Sequence, residues 1–324
     1  MHKSSEKSPE PGPKRTFLVL LAMLVMVTAC ETIPISSPSP TPDRLSLIPN
    51  EATKMPYGDD PLFPQSLTEE YEQPVPIPGM VNTAGAEDGC FITPDGNTLY
   101  FFFTPDLNKP LDQQLQDGVT GLYVSHKHEG SWGEPQRIVL QDPGKLALDG
   151  CEFVLGDTMW FCSAREGYTG LHWFTAEFVD GKWKNWTKAD FDSSYEVGEL
   201  HITSDGNDLY YGSERPGGQG GMDIWKLTRI NGEWRNPTPV TAVNSPDNEG
   251  WPDISPDGNE LWFLRNYGIW RSMKVDGEWQ SPEEMFSPLS GEPSIDAQGN
   301  VYFIHHFMKG DKLIEADVYV AYKK

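Results

Sequence analysis

The sequence predicts an all-β fold assembled from repeated four-stranded antiparallel sheets, and three observations carry that reading. A tight turn with an Asp-Gly core recurs between paired apolar stretches. A Gly-x-Trp signal recurs at nearly constant spacing further along each unit. The composition also favours short strands joined by turns over long helices. The 324 residues include 31 Gly and 28 Pro, with 12 Tyr and 11 Trp that suit half-buried pleated surfaces.

The amino terminus reads as an address. Lys14 and Arg15 precede an apolar run from Phe17 to Ala29, followed by Cys30. Val27-Thr28-Ala29-Cys30 resembles the lipobox of a bacterial lipoprotein signal. That resemblance implies removal of residues 1–29, a lipid on Cys30, and a domain exported and held at the membrane by acyl chains. The competing reading is an uncleaved anchor helix. Residues 30–70 begin with a Pro/Ser/Thr-rich stretch, "TIPISSPSPTPDR", expected to stay extended as a flexible tether. Residues 71–324 are expected to form the folded domain.

The repeats follow in order. "CFITPDGNTLYFF" begins at 90, "LHITSDGNDLYYG" at 200 and "PDISPDGNELWFL" at 252. "CEFVLGDTMWFC" at 151 has a shortened turn, and "PSIDAQGNVYFIH" at 293 is a degenerate copy. Each predicts a hairpin, because Asp-Gly and Gly-Asn tolerate the positive φ of tight turns. A third strand follows ("GLYVSH", "GLHWFTAEF", "DIWKLTR", "GIWRSMKV", "DVYVAY"). The fourth is marked by Trp132, Trp183, Trp234 and Trp279, at spacings of 51, 51 and 45 residues. Four antiparallel strands in units of this length predict a β-propeller, here of five blades.

The fifth unit ends after its third strand. "QPVPIPGMVNTAGAEDG" (73–89) parallels "NPTPVTAVNSPDNEG" (236–250), so the first strand of the domain is expected to complete the last blade and remove an open sheet edge. "NEGWPDISPDGNELWF" and "SERPGGQGGMDIW" resemble the WD40-like (PD40) repeats of TolB-type propellers. The resemblance spans roughly residues 73–324 and implies a scaffold used mostly for protein or ligand binding. Its pattern is broken in the second unit and at Ala297-Gln298-Gly299 in the fifth.

In a propeller the first strand of each blade lines the central channel. Residues reading back from the turns are Glu87, Asp88, Asp149, Glu152, Glu196, Glu199, His201, Glu249, Asp253 and Glu292. Converging carboxylates can bind a cation such as calcium, a sugar or a basic peptide, and crowding separates their acidities into an acid and a base. They can equally pair with repeated arginines, Arg165, Arg215 and Arg265, that follow the second strands. Recurrence favours such structural pairing for Glu249 and Arg215. Glu199, His201, Trp251 and Asp253 break the repeat, so they join Glu87, Glu249 and Glu292 as ligand-binding candidates.

Other features point elsewhere. A net charge of −23 disfavours nucleic acid. No CxxC pair or His cluster suggests structural zinc, and no nucleophile elbow is present. "RPGGQGG" (215–221) lacks a phosphate-loop ending and reads as a turn. The insertion at 104–120 is expected to overhang one channel mouth, or to be ordinary loop tolerance. A two-residue turn at Gly156-Asp157 would place Cys151 opposite Cys162, a candidate disulfide; Cys90 is a rival partner, and reduced thiols are the third option. The expected function is that of a lipid-anchored binding scaffold for an envelope protein, a glycan or a small solute. The alternative is a glycosidase-like enzyme using Glu199, Glu249, Asp253 and Glu292.

Overall fold

The computed structural model describes residues 43–324 except 190, 192–194 and 196. Cys30, the apolar run before it and Glu196 lie outside the described residues.

The fold is all-β and propeller-like. The first unit pairs Ala86–Ile92, Thr98–Thr104 and Gly121–His128 as an antiparallel meander, with Gln136–Arg137 on its outer edge. The second runs Ala147–Leu155, Thr158–Arg165, His172–Val179 and Lys182–Lys188. The third runs Leu200–Ile202, Asp208–Ser213, Asp223–Ile230 and Glu233–Pro239. Glu249–Ile254, Glu260–Arg265, Gly268–Val275 and Glu283–Ser287 form the fourth. Ser290–Ile295, Val301–Lys309 and Lys312–Ala321 form the fifth.

The fourth strand of the fifth unit is Val75–Pro76, which pairs Val75 with Val320 and Pro76 with Tyr319. The parallel noted between 73–89 and 236–250 has a physical basis. Asn82 accepts from the Val318 amide and donates to its carbonyl; Asn244 does the same for Ile224. Each Asn side chain thus occupies both backbone groups of one residue in the preceding third strand.

The turns are built by their own side chains. In the first unit Thr93 Oγ1 and the Asn97 amide both donate to Asp95 Oδ1, at 2.6 and 3.1 Å. Thr203 with Asp205, and Ser255 with Asp257, repeat this arrangement. Gly96, Gly206 and Gly258 close these turns at φ 71–77°, a conformation costly for residues with a Cβ.

The core lies between neighbouring sheets. Phe91, Leu122, Phe153, Phe161, Phe174, Leu209 and Tyr211 belong to one buried cluster spanning the first three units. Phe101, Trp132, Tyr302 and Val318 join the fifth unit to the first. Fully burying such a side chain contributes about 1.5–3 kcal/mol, so sheet-on-sheet packing is the main favourable term. First strands also touch in cyclic order: first with second, second with third, third with fourth, fourth with fifth, and fifth with first.

The segment expected to be a free tether is laid against the sheets from residue 43 onward. Gln65–Ser66 pairs with Glu283–Ser287, and Tyr71 is 1% exposed against Trp262 and Phe286. Arg44 is buried on Glu87, Lys54 meets Glu315 and Asp317, and Asp60 meets His305 at 2.6 Å. The Pro/Ser/Thr-rich composition ends at about residue 42. Beyond it the charged and aromatic side chains find partners in the first, fourth and fifth units, which compensates the entropy of ordering the segment.

Candidate functional site

Four of the five first strands shift their register by one residue at an equivalent point. The shifts fall between Asp88 and Phe91, Gly150 and Phe153, Gly250 and Asp253, and Gly291 and Ser294. These are β-bulges, and the bulged residues Gly89, Cys151, Trp251 and Glu292 all have φ of 50–59°. Glu199 stands at the same distance from its turn in the third unit. A left-handed residue turns the chain so that consecutive side chains, instead of alternate ones, reach the channel.

The result is a cavity of about 50 Å³ lined by all five first strands. The first unit contributes Gly89, Cys90 and Phe91, and the second Cys151, Glu152 and Phe153. The third adds Glu199, Leu200 and His201, the fourth Trp251, Pro252 and Asp253, and the fifth Glu292 and Pro293.

Its polar groups are unevenly satisfied. His201 Nδ1 lies 3.2 Å from Asp253 Oδ2, and Ser294 Oγ donates to that oxygen at 3.1 Å. Glu292 Oε2 accepts from the Gly89 amide at 2.5 Å. Cys151 Sγ donates to Glu199 Oε1 at 3.5 Å. Glu152 is only 6% exposed, yet neither of its carboxyl oxygens has a hydrogen-bond partner; Asp253 Oδ1 is likewise buried and unpaired.

The carboxyl groups are driven apart in acidity. Burial, with the nearby Asp88 charge, pushes Glu152 well above the usual carboxylate range. Glu292 is pushed up by burial and by the charges of Asp88 and Glu199. Burial acts on Asp88 too, but hydrogen bonds from His306 and Glu292, with the His306 charge, outweigh it and hold Asp88 low.

Of the sequence candidates, Glu199, His201, Trp251, Asp253 and Glu292 meet in this cavity. Glu87 and Glu249 do not: both are 0% exposed and engaged in ion pairs outside it. The cause is the bulge, which puts residues before it on the opposite face from residues after it. Glu249 takes Arg265 at 2.7 Å and Ser245 at 2.5 Å. Arg165 pairs with Asp149 at 2.8 Å and stacks 4.2 Å from the Trp186 ring. Arg215 lies over Tyr195 and Trp225, with its Nη1 3.1 Å from the Tyr211 hydroxyl.

Glu152 was one of nine acids on or near the first strands. What sets it apart is the missing hydrogen-bond partner, which only the folded chain reveals. Phe91 and Phe153 carried no sequence signal beyond an apolar strand position.

The proposed bridge between Cys151 and Cys162 is not present. The hairpin pairs Leu155 with Thr158 and Phe153 with Trp160 as expected, but past the bulge Cys162 faces Gly150. Cys90, Cys151 and Cys162 are free thiols, all made less acidic: Cys151 first by its hydrogen bond with Cys162 and then by burial, Cys90 and Cys162 chiefly by burial. Among the described residues, no three His, Cys, Asp or Glu side chains are grouped to ligate a metal ion.

The 104–120 insertion folds around Asp117, whose carboxylate receives the Val119 and Thr120 amides. The Gly-rich run wraps the Asp223 carboxylate, which accepts from the Gln219 and Gly220 amides. A Cβ on Gly220 would meet the Asp247 carbonyl at 1.8 Å, so close backbone approach explains that glycine.

No protein-family model matches the chain, and no curated protein matches it in sequence. Several solved structures share parts of its chain trace. A protein of unknown function from Dyadobacter fermentans is 12% identical, covering 81% of this chain and 100% of its own, with a TM-score of 0.46. A TolB-like protein from Agrobacterium tumefaciens is 16% identical over 76% of this chain and 78% of its own (TM-score 0.42). The β-xylosidase RS223 is 12% identical over 76% and 94% (TM-score 0.47). Likeness at this level transfers no activity to this chain. The fold rests on its own strand pairing: an all-β, propeller-like scaffold with an acidic and aromatic cavity where its first strands meet.

Proposed function

We propose that the protein is a five-bladed β-propeller of the TolB type, exported and anchored through a lipid on Cys30, whose channel mouth binds a ligand presented in the cell envelope. The cyclic contacts of the five first strands support the blade count. Glu152 carries the binding reading. Leaving a buried carboxyl without partners costs about 1–3 kcal/mol or more, and a ligand that satisfies it recovers that cost. The ligand is a small solute, a glycan or a side chain of an envelope protein.

The test is thermal unfolding of the full chain with a chelator, with calcium, and with panels of glycans, amines and envelope-derived peptides. A ligand at a hundredfold its Kd adds about 2.7 kcal/mol of stability. A shift that Glu152→Gln abolishes supports the reading; no shift with any class sinks it. Anchoring is tested separately. Cys30→Ser should move the protein from the membrane fraction to the soluble one and abolish incorporation of a labelled fatty acid.

A second reading, glycoside hydrolysis, has one observation in its favour. Glu152 and Glu292 are pushed up while Asp88 is held down, the separation an acid and a base require. Glu249 leaves the earlier candidate set because Arg265 occupies it. Turnover of chromogenic glycosides, lost in Glu152→Gln, would establish this activity.

A further inference from the structure

The channel mouth has a chemical character more specific than acidity. None of its lining residues is Lys or Arg. Three buried acceptor oxygens on that lining lack donors: both of Glu152 and Oδ1 of Asp253. Beside them stands a group of rings. Phe91 and Phe153 meet edge to face at 5.2 Å, Phe153 lies 4.6 Å from the His201 ring, and the half-buried Trp251 borders the same space. Carboxyl oxygens and aromatic faces in one small cavity are the two groups that attract an organic cation.

We propose that this cavity takes the head group of an alkylammonium ligand, a protonated primary amine whose carbon chain extends out of the channel mouth. The inference rests on the channel-binding reading above and deepens it. An ammonium carries three N–H donors and no acceptor, which matches three orphan oxygens. Burial disfavours the ionised form of Glu152, and a bound ammonium supplies the charge that restores it, while the Phe91 and Phe153 rings solvate the α-carbon. At about 50 Å³ the cavity is small, which suits a compact ammonium head whose carbon chain extends outward. An ammonium also needs no fixed coordination geometry, in keeping with a lining that groups no three metal-type ligands.

The experiment is calorimetric titration of the full chain with n-pentylamine, 1,5-diaminopentane and, as a neutral isostere, 1-pentanol. Saturable binding of both amines, at least tenfold tighter than pentanol, is expected on the wild-type protein. That comparison needs no variant to fold. Glu152→Gln, with its melting curve recorded in parallel, should weaken amine binding at least tenfold; Trp251→Leu, at a half-buried site, should weaken it several-fold. Nα-acetyl-lysine amide against its Nε-acetylated form separates the sources. Binding of the first alone identifies a partner protein's lysine; binding of diaminopentane alone identifies a free amine. Amines that bind no better than pentanol, or equally well to Glu152→Gln, overturn the proposal. If instead a neutral glycan binds and Glu152→Gln abolishes it, the ammonium assignment falls while the channel-binding reading stands. If no ligand of any class binds, both fall.

Discussion

Two buried ion pairs, one in the fourth unit and one in the first, have the same acceptors but obtain their arginine from different places. In the fourth, Arg265 donates to Glu249 and to the Val243 carbonyl, while the Ser245 amide and hydroxyl complete the carboxylate. In the first, Arg44 donates to Glu87 and to the Val81 carbonyl, with Thr83 in the role of Ser245. Glu249 pairs across its sheet with Arg265, and Glu87 pairs with Phe103. The first unit carries no arginine at the position that Arg265 holds in the fourth. A residue from the amino-terminal segment replaces it, with its guanidinium 5.3 Å from the Phe103 ring. The geometry of the site thus outlasts the sequence position that supplied it.

Breaking the pair within the repeat should have the largest effect. Arg265→Ala leaves Glu249 buried without its counter-charge and should cost about 3–5 kcal/mol in denaturant unfolding. An unchanged midpoint would mean the pair adds nothing over its neighbours.

Arg44→Ala should cost less, about 2 kcal/mol near pH 6, because Glu87 can neutralise itself. Burial and the Asp317 charge push its carboxyl up to about 8. A folded-state value above the unfolded one of 4.5 means the proton on Glu87 favours the folded state. That contribution is complete below pH 4.5 and is lost as pH rises through about 8. The destabilisation by Arg44→Ala should therefore be greater at pH 9 than at pH 6. A pH-independent loss would refute the role assigned to Glu87.

Asn82 and Asn244 sharpen the contrast, since both come from equivalent positions in the repeat pattern. Asn82→Ala and Asn244→Ala should cost similar amounts, about 1–3 kcal/mol each, by orphaning the backbone of Val318 or Ile224. Unequal losses would show that the junction between fifth and first units is weaker than the one between third and fourth.

The smallest effect is expected from Arg44→Lys. It keeps the charge, loses the fork that spans Glu87 and the carbonyls of Met80 and Val81, and should cost about 1 kcal/mol. A loss equal to that of Arg44→Ala would mean fork geometry outweighs charge.

The repeat turns, the third strands and the completion of the fifth unit by Val75–Pro76 were legible in the sequence. They depend on contacts within a few residues or on copies of one pattern. Five of the seven binding candidates lie together for the same reason. Reading residues back from the turns put Glu87 and Glu249 among the binding candidates, but the bulge at Gly89 and Trp251 turns them away from the cavity, and Glu249 meets Arg265 in the pairing its recurrence favoured. The same bulge places Gly150 instead of Cys151 directly opposite Cys162. Glu152 stood on the right strand but was indistinguishable from other acids, since the absence of a partner is not written in any motif.

By itself the sequence determined what local chemistry can determine: where the chain turns, which strands are adjacent, and which residues recur. Asp95, Gly96 and their counterparts act over three or four residues, so their information survives without the fold. Tertiary structure decided which carboxyls are paired and which are left facing a cavity. It also docked residues 43–71 on the sheets, bringing Arg44 to Glu87 across 43 positions. Such contacts depend on the packing of units distant in sequence, and no periodicity encodes them.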